Sequence, residues 1–131
     1  MSSIISRNPY TQEVNATFER LSNDELEQVI QQAHEAYLSW KKTPASEKKA
    51  LFHRLADLVD ERNEELAKLQ TIEMWMLFGA SSGGLRNTAN LIRWNADNFE
   101  RILGDEEFSH DGLTGKYKFD PLGVIYGVWP W

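Results

Sequence analysis

Leu122-Gly-Val-Ile-Tyr-Gly-Val-Trp-Pro-Trp131 is the stretch on which the reading of this fold turns. Val124, Ile125, Tyr126 and Val128 are β-branched or aromatic and form a short apolar run, the pattern of a fully buried strand. Gly127 interrupts the run, as glycine does at a bulge or a close backbone approach. Pro130 has no N–H to give to a ladder, so the strand is expected to end at or before Trp129. Strand ends of this kind, at the carboxyl edge of an α/β sheet, are where ligands bind.

Just upstream, Asp120-Pro-Leu-Gly123 reads as a turn and Lys116-Tyr-Lys-Phe119 alternates like a second strand. Residues 104–115 form a polar stretch rich in Gly, Asp and Glu and are expected to be a loop. Its Asp105, Glu106, Glu107, His110 and Asp111 match no metal-site spacing, so no metal ligand is assigned. Residues 79–103 form a helical region. Leu85, Ala89, Ile92, Ala96, Phe99 and Leu103 share one face, and Ser81 or Ser82 is the expected cap. Gly79-Ala-Ser-Ser-Gly-Gly84 looks like a phosphate loop. It follows no strand and lacks Gly-Lys-Ser/Thr, so close helix packing is the preferred reading.

The chain opens with a hairpin over residues 4–19. Asn8-Pro9-Tyr10-Thr11 has turn chemistry, and Val14, Ala16 and Phe18 alternate with polar residues. Residues 22–103 are helical. Ser22-x-x-Glu25 is a capping box, followed by Leu26, Val29, Ile30, Ala33, Tyr37 and Trp40 on one face. Thr43 is the expected cap of a second helix, with Pro44 in its first turn and Leu51, Leu55, Leu58 and Val59 as its buried stripe. A bend is expected near Asn63, which would cap a continuation to about Met74. His34 and His53 lie beside apolar stripes and read as solvated or helix-packing residues, with no nucleophile or carboxylate assigned to either.

Asp120-Pro-Leu-Gly-Val-Ile-Tyr-Gly-Val-Trp-Pro-Trp131 resembles the aldehyde dehydrogenase segment P-x-G-V-x-x-x-I-x-P-W-N. Asn8-Pro-Tyr-Thr11 is similar to the family's N-P-x-T-G turn, with Gln12 in place of the Gly. Glu73-Met74 is similar to its E-x-G-K helix end, with Trp75 in place of Gly and Met76 in place of Lys. A Gly there is free to take φ > 0; a Trp does so with strain of about 1 kcal/mol or more. Trp75 to Phe78 is a run of four large apolar residues, a candidate contact surface.

The resemblance implies the N-terminal part of the aldehyde dehydrogenase α/β fold. The chain is then an α+β piece, mostly helical: an N-terminal β-hairpin, three to four helices and two C-terminal strands over residues 116–131 that enter the cofactor domain. The overall flavour is similar to succinate-semialdehyde dehydrogenases. It implies NAD or NADP as cofactor of the parent enzyme, with Trp129, Pro130 and Trp131 approaching the nicotinamide end. The sequence ends one residue short of the family's substrate-binding Asn, and Trp129 stands where a smaller aliphatic residue is usual.

Composition excludes several classes. The 131 residues carry a net charge of −6 and no cysteine. An acidic balance argues against nucleic acid or an anionic membrane as partner. No apolar run is long enough for a membrane span, and residues 1–7 lack the basic and apolar regions of a signal peptide, so a cytoplasmic location is expected. Without cysteine the chain cannot form the thiolate that attacks the aldehyde in this family. No catalytic residue is assigned. Two functions are weighed: part of an NAD(P)-dependent aldehyde dehydrogenase, inactive alone and meeting its aldehyde substrate only in the full-length parent, or a helical assembly module that self-associates through apolar surfaces such as residues 75–78 and 124–131.

Overall fold

The first reversal of the chain is made by Asn8, whose side-chain oxygen accepts hydrogen bonds from the backbone N–H groups of Tyr10 (2.9 Å) and Thr11 (3.2 Å). That Asx geometry closes a hairpin of β1 (Ile4–Arg7) and β2 (Val14–Phe18) in a computed structural model that describes residues 3–128. The two strands run antiparallel with Ile4 opposite Phe18 and a bulge after Ser6. Gln12 adopts φ 64°, the left-handed conformation for which the resembling motif uses Gly. Its Nε2 donates to the Pro9 carbonyl at 2.7 Å, a local hydrogen bond that offsets part of the strain.

Four helices follow: α1 (Asn23–Trp40), α2 (Ala45–Glu61), α3 (Asn63–Met74) and α4 (Phe78–Ile102). The capping box of α1 is formed in both directions, with Ser22 N–H donating to Glu25 Oε2 at 2.8 Å and Glu25 N–H to Ser22 Oγ at 3.3 Å. The backbone N–H of Ser22, and then its hydroxyl, hold the Glu25 carboxyl below its usual range.

The other helix starts differ from expectation. Pro44 itself, at ψ 146°, is the cap of α2, and Thr43 makes no capping bond. Its fixed φ and missing N–H suit that place as well as the first turn. The bend falls where expected, with Arg62 at φ −99° and ψ 14° joining α2 to α3. Asn63 does not cap α3; its amide reaches across to α4. Leu77, without a side-chain hydrogen bond, starts α4, and Ser81 and Ser82 lie inside the helix rather than at its end.

The core is a seam of small side chains. Ala56 of α2, Ala67 of α3, and Ser81, Ser82, Ala89 and Ala96 of α4 are its buried residues, and α4 packs against both α2 and α3. Short side chains let the helix backbones approach closely. Ser82 Oγ donates to Asn63 Oδ1 at 2.6 Å, Asn63 Nδ2 donates to the Ser82 carbonyl at 3.0 Å, and Ser81 Oγ donates to Gln70 Oε1. Close helix packing is therefore real, but the serines make it. A Cβ added at Gly79, Gly83 or Gly84 meets nothing within 4 Å.

The expected buried stripe of α2 is a second correction. Leu51, Leu55 and Leu58 are 49%, 44% and 37% exposed, and of the expected stripe Val59 alone is half-buried. The helix is turned so that Ala56 faces α4, which leaves the leucines directed away from the seam. Helix α1 likewise has no buried residue, and Leu26, Val29 and Ile30 are each about half exposed.

Trp75 ends α3 at φ 56° and ψ 30°, so it keeps the left-handed C-cap although it is not Gly. Its ring lies 4.9 Å from that of Tyr10. Ser6 Oγ donates to Glu73 Oε1 at 2.9 Å beside it. The two contacts tie the N-terminal hairpin to the end of α3.

The polar stretch after α4 is no loop. It forms a hairpin of β3 (Glu106–His110) and β4 (Leu113–Tyr117), with His110 opposite Leu113. Asp111 and Gly112 turn it with φ 48° and 79°, as a two-residue type I′ turn demands. Phe108 lies across Gly115, where a Cβ would come within 2.2 Å of its ring. The second strand thus ends at Tyr117, earlier than the expected Phe119. Val124–Val128 are in no strand among the described residues, and Ile125 and Tyr126 are 78% and 89% exposed. A strand exists only as a partner in a ladder, and neither described hairpin pairs with this segment. The α+β, mostly helical class holds.

Candidate functional site

Gly123, at φ 99°, takes a backbone path that L side chains rarely follow, and it redirects the chain over the C-terminal half of α1. Its backbone lies against the Tyr37 ring, where an added Cβ would sit 3.6 Å from Cε1. The Tyr37 hydroxyl donates to the Pro121 carbonyl at 3.1 Å. Ala33, Tyr37 and Trp40 on one side and Gly123, Val124 and Ile125 on the other border an open groove of about 590 Å³, with Ser39 and Thr43 among its polar groups. The groove borders the segment that precedes the expected site in sequence. Trp129, Pro130 and Trp131, the residues assigned to the cofactor, lie outside the described residues.

None of the other candidate groups assembles into a reactive set. His53 has a partner that was not expected: Nε2 is 3.0 Å from Asp97 Oδ1, which also accepts from Lys49 Nζ at 2.8 Å. These two donors, Lys49 first, hold the Asp97 carboxyl below its usual range. The group joins α2 to α4 on a half-exposed surface. Arg93 of α4 makes a parallel link, donating to Asp57 at 2.7 Å and to Asp60 at 2.8 Å. His34 lies 6.0 Å, ring to ring, from Tyr37. His110 is 3.4 Å from Asp111 on an exposed turn.

Lys116 takes Asp105 at 2.9 Å, an ion pair across the base of the second hairpin. Among the described residues no three His, Asp or Glu side chains are placed to hold a metal ion. The Gly-rich stretch is helix rather than loop, and its two serine hydroxyls are engaged by α3. No phosphate cradle is formed there.

The decisive observation is the reach of one family description. The model of the aldehyde dehydrogenase family matches residues 2–131. The chain belongs to the aldehyde dehydrogenase family. It is 32% identical over 124 residues to the NADP(+) succinate-semialdehyde dehydrogenase of Deinococcus radiodurans, a match that covers 95% of this chain and 26% of the relative. Among solved structures, the succinic semialdehyde dehydrogenase of Streptococcus pyogenes in complex with NADP+ superposes with a TM-score of 0.81 at 27% identity. That superposition covers 87% of this chain and 25% of the other. A structure solved to explain cofactor and substrate selection by Gox0499 gives a TM-score of 0.90 over 96% of this chain and 28% of its own, at 23% identity, which speaks to the fold alone.

The chain thus spans about a quarter of the length of the relatives it matches. No helix of the described residues is long and apolar enough to cross a membrane.

Proposed function

We propose that this chain provides the N-terminal scaffold of a cytoplasmic, NADP-linked aldehyde dehydrogenase of the succinate-semialdehyde type, and that it does not turn over aldehyde by itself. The reading is carried by an alignment over 95% of the chain to an enzyme whose name specifies NADP(+) and succinate semialdehyde. It is supported by chemistry the chain lacks: 131 residues without a cysteine supply no thiolate to form a thiohemiacetal. In this reading α1 and the segment over Tyr37 aim residues 129–131 at the nicotinamide end of the cofactor, and the rest of the family fold supplies nucleophile, base and dinucleotide cradle.

Trp129 and Trp131 are built-in reporters. The test is a titration of NADP into the purified chain followed by tryptophan fluorescence, beside an assay of NADP reduction with succinate semialdehyde. The expected result is no turnover. Saturable quenching supports a surviving part of the cofactor site. Turnover above background refutes the scaffold reading, and a flat response to millimolar NADP removes the cofactor role from residues 129–131.

A further inference from the structure

Asp111-Gly112 is the one place in the sequence where Gly follows an Asp or an Asn; the other six aspartates precede Glu, Leu, Asn or Pro. Asp111 holds φ 48° and Gly112 φ 79° at the tip of the β3–β4 hairpin. The Asp111 side chain is 87% exposed, and its Oδ2 lies 3.4 Å from His110 Nε2, longer than a normal hydrogen bond. Among the described residues the Gly112 N–H donates to no partner. A carboxyl carbon and the next nitrogen along the chain thus stand side by side, and neither is held.

The hairpin has little to keep that turn closed. Its sheet has two strands only, and apart from half-buried Gly115 both strands are exposed along their length. Its firmest side-chain contacts, Phe108 with Tyr117 and Lys116 with Asp105, lie toward its base. The contact nearest the turn is Ser109 Oγ with Thr114 Oγ1, at 3.5 Å. A lone two-stranded hairpin is marginally stable in water, so this turn opens locally while the helices stay folded. Opening frees rotation about the Cα–C and Cα–Cβ bonds of Asp111, which brings Cγ to the Gly112 nitrogen. Gly has no Cβ to obstruct that approach.

We propose that Asp111-Gly112 is a site of spontaneous succinimide formation, at which the folded chain converts Asp111 to isoaspartate. In the protonated acid the Gly112 nitrogen bonds to Asp111 Cγ, the Cγ–OH bond breaks, and the hydroxyl leaves with the N–H proton as water. One water then opens the five-membered ring. Addition at Cγ restores Asp. Addition at the main-chain carbonyl of Asp111 breaks its bond to the Gly112 nitrogen, and the chain then runs through Cβ and Cγ. Nothing is oxidised or reduced, and the final mass is unchanged. The product carries an extra methylene in a turn of two residues, which cannot keep His110 opposite Leu113. The proposal is independent of the cofactor reading above.

The test is incubation of the folded 131-residue chain, with circular dichroism to follow its helices. Intact mass is read over time, together with digestion by a protease that cuts before Asp but not before isoaspartate. The expected result is a progressive loss of cleavage before residue 111 while cleavage before Asp57 and Asp97 persists, with a minor species lighter by one water. Asp111→Glu, whose ring would need six members, is expected to give no lighter species. Asp111→Asn suits the same turn and is expected to react several-fold faster, read as the rise in mass when its amide becomes an acid. Cleavage before residue 111 that persists in the folded chain, over a period in which the urea-unfolded chain loses it, overturns the proposal, because the turn then protects the bond. An equal loss before Asp57 and Asp97 overturns it as well.

Discussion

Replacing Trp75 by Gly has different consequences in two backgrounds, and the structure gives the sizes. Trp75 holds φ 56° and ψ 30° at the end of α3. The left-handed conformation costs a non-glycine residue about 1–2 kcal/mol, and Gly brings back about 0.5–1 kcal/mol of chain entropy to be lost on folding. Taken at the middle of each range, relief of the backbone alone is a gain of about 0.75 kcal/mol. Against it stands the Tyr10 ring at 4.9 Å, a contact of about 0.5–1.5 kcal/mol. In the natural background the two effects nearly cancel. In a Tyr10→Ala background the contact is already gone, so Trp75→Gly is expected to stabilise by about 0.5–1 kcal/mol. Urea unfolding of the four proteins at one fixed concentration measures the cycle. An equal loss of stability from Trp75→Gly in both backgrounds refutes the reasoning, because it leaves neither strain at position 75 nor coupling to Tyr10.

Gly83→Ala adds a methyl that meets nothing within 4 Å, so it is expected to raise stability by about 0.5–1 kcal/mol through helix propensity; a loss in thermal unfolding contradicts it. Asn63→Ala removes two hydrogen bonds to Ser82 at the α3–α4 seam, leaving the Ser82 hydroxyl only Arg86 as its donor, and is expected to cost about 1–3 kcal/mol, read as a lower urea midpoint. Asp57 and Asp97 both titrate below their ordinary 3.8 in the fold, held there first by Arg93 and by Lys49 respectively. As pH falls the unfolded chain takes up these protons first, so stability present at pH 7 declines from about pH 4 downward and is lost below the folded values. Urea midpoints from pH 7 to pH 3 check this, and Lys49→Met is expected to shallow the decline; an unchanged slope discards the Asp97 contribution.

Local chemistry was legible in the sequence wherever a residue acts on its own backbone. Asn8 and the Ser22–Glu25 pair are of that kind, and both made the structures their spacing announces. Asp111-Gly112 is equally local and the signal was present, but the surrounding Asp and Glu residues made a hairpin look like a solvated loop. What periodicity does not carry is the identity of the neighbour. It marks Leu51, Leu55 and Leu58 as one apolar face of α2, yet the face turned to α4 is the one with Ala56, because only a small side chain fits between backbones that close. The same holds for Val124 to Val128: the pattern of a strand is there, but pairing needs an edge from elsewhere. Of the candidate site, the segment over Tyr37 that precedes it in sequence is described, and the motif that pointed to it was legible because its Pro, Gly and Trp residues are spaced in a fixed order. His53 was read as isolated because its partner Asp97 is 44 residues away, and no pattern in one sequence joins them.

The seam of Ala56, Ala67, Ala89 and Ala96 also reverses the usual direction of mutational risk. In most cores the damaging changes are losses of volume, because a large side chain leaves a cavity behind. Here there is almost no volume to lose. Truncation ends at Gly, whereas an added methyl or two at any of these positions meets a facing backbone and must push two helices apart. Drift in this bundle is therefore constrained from above, and the positions most intolerant of change are those a survey of large buried residues would overlook.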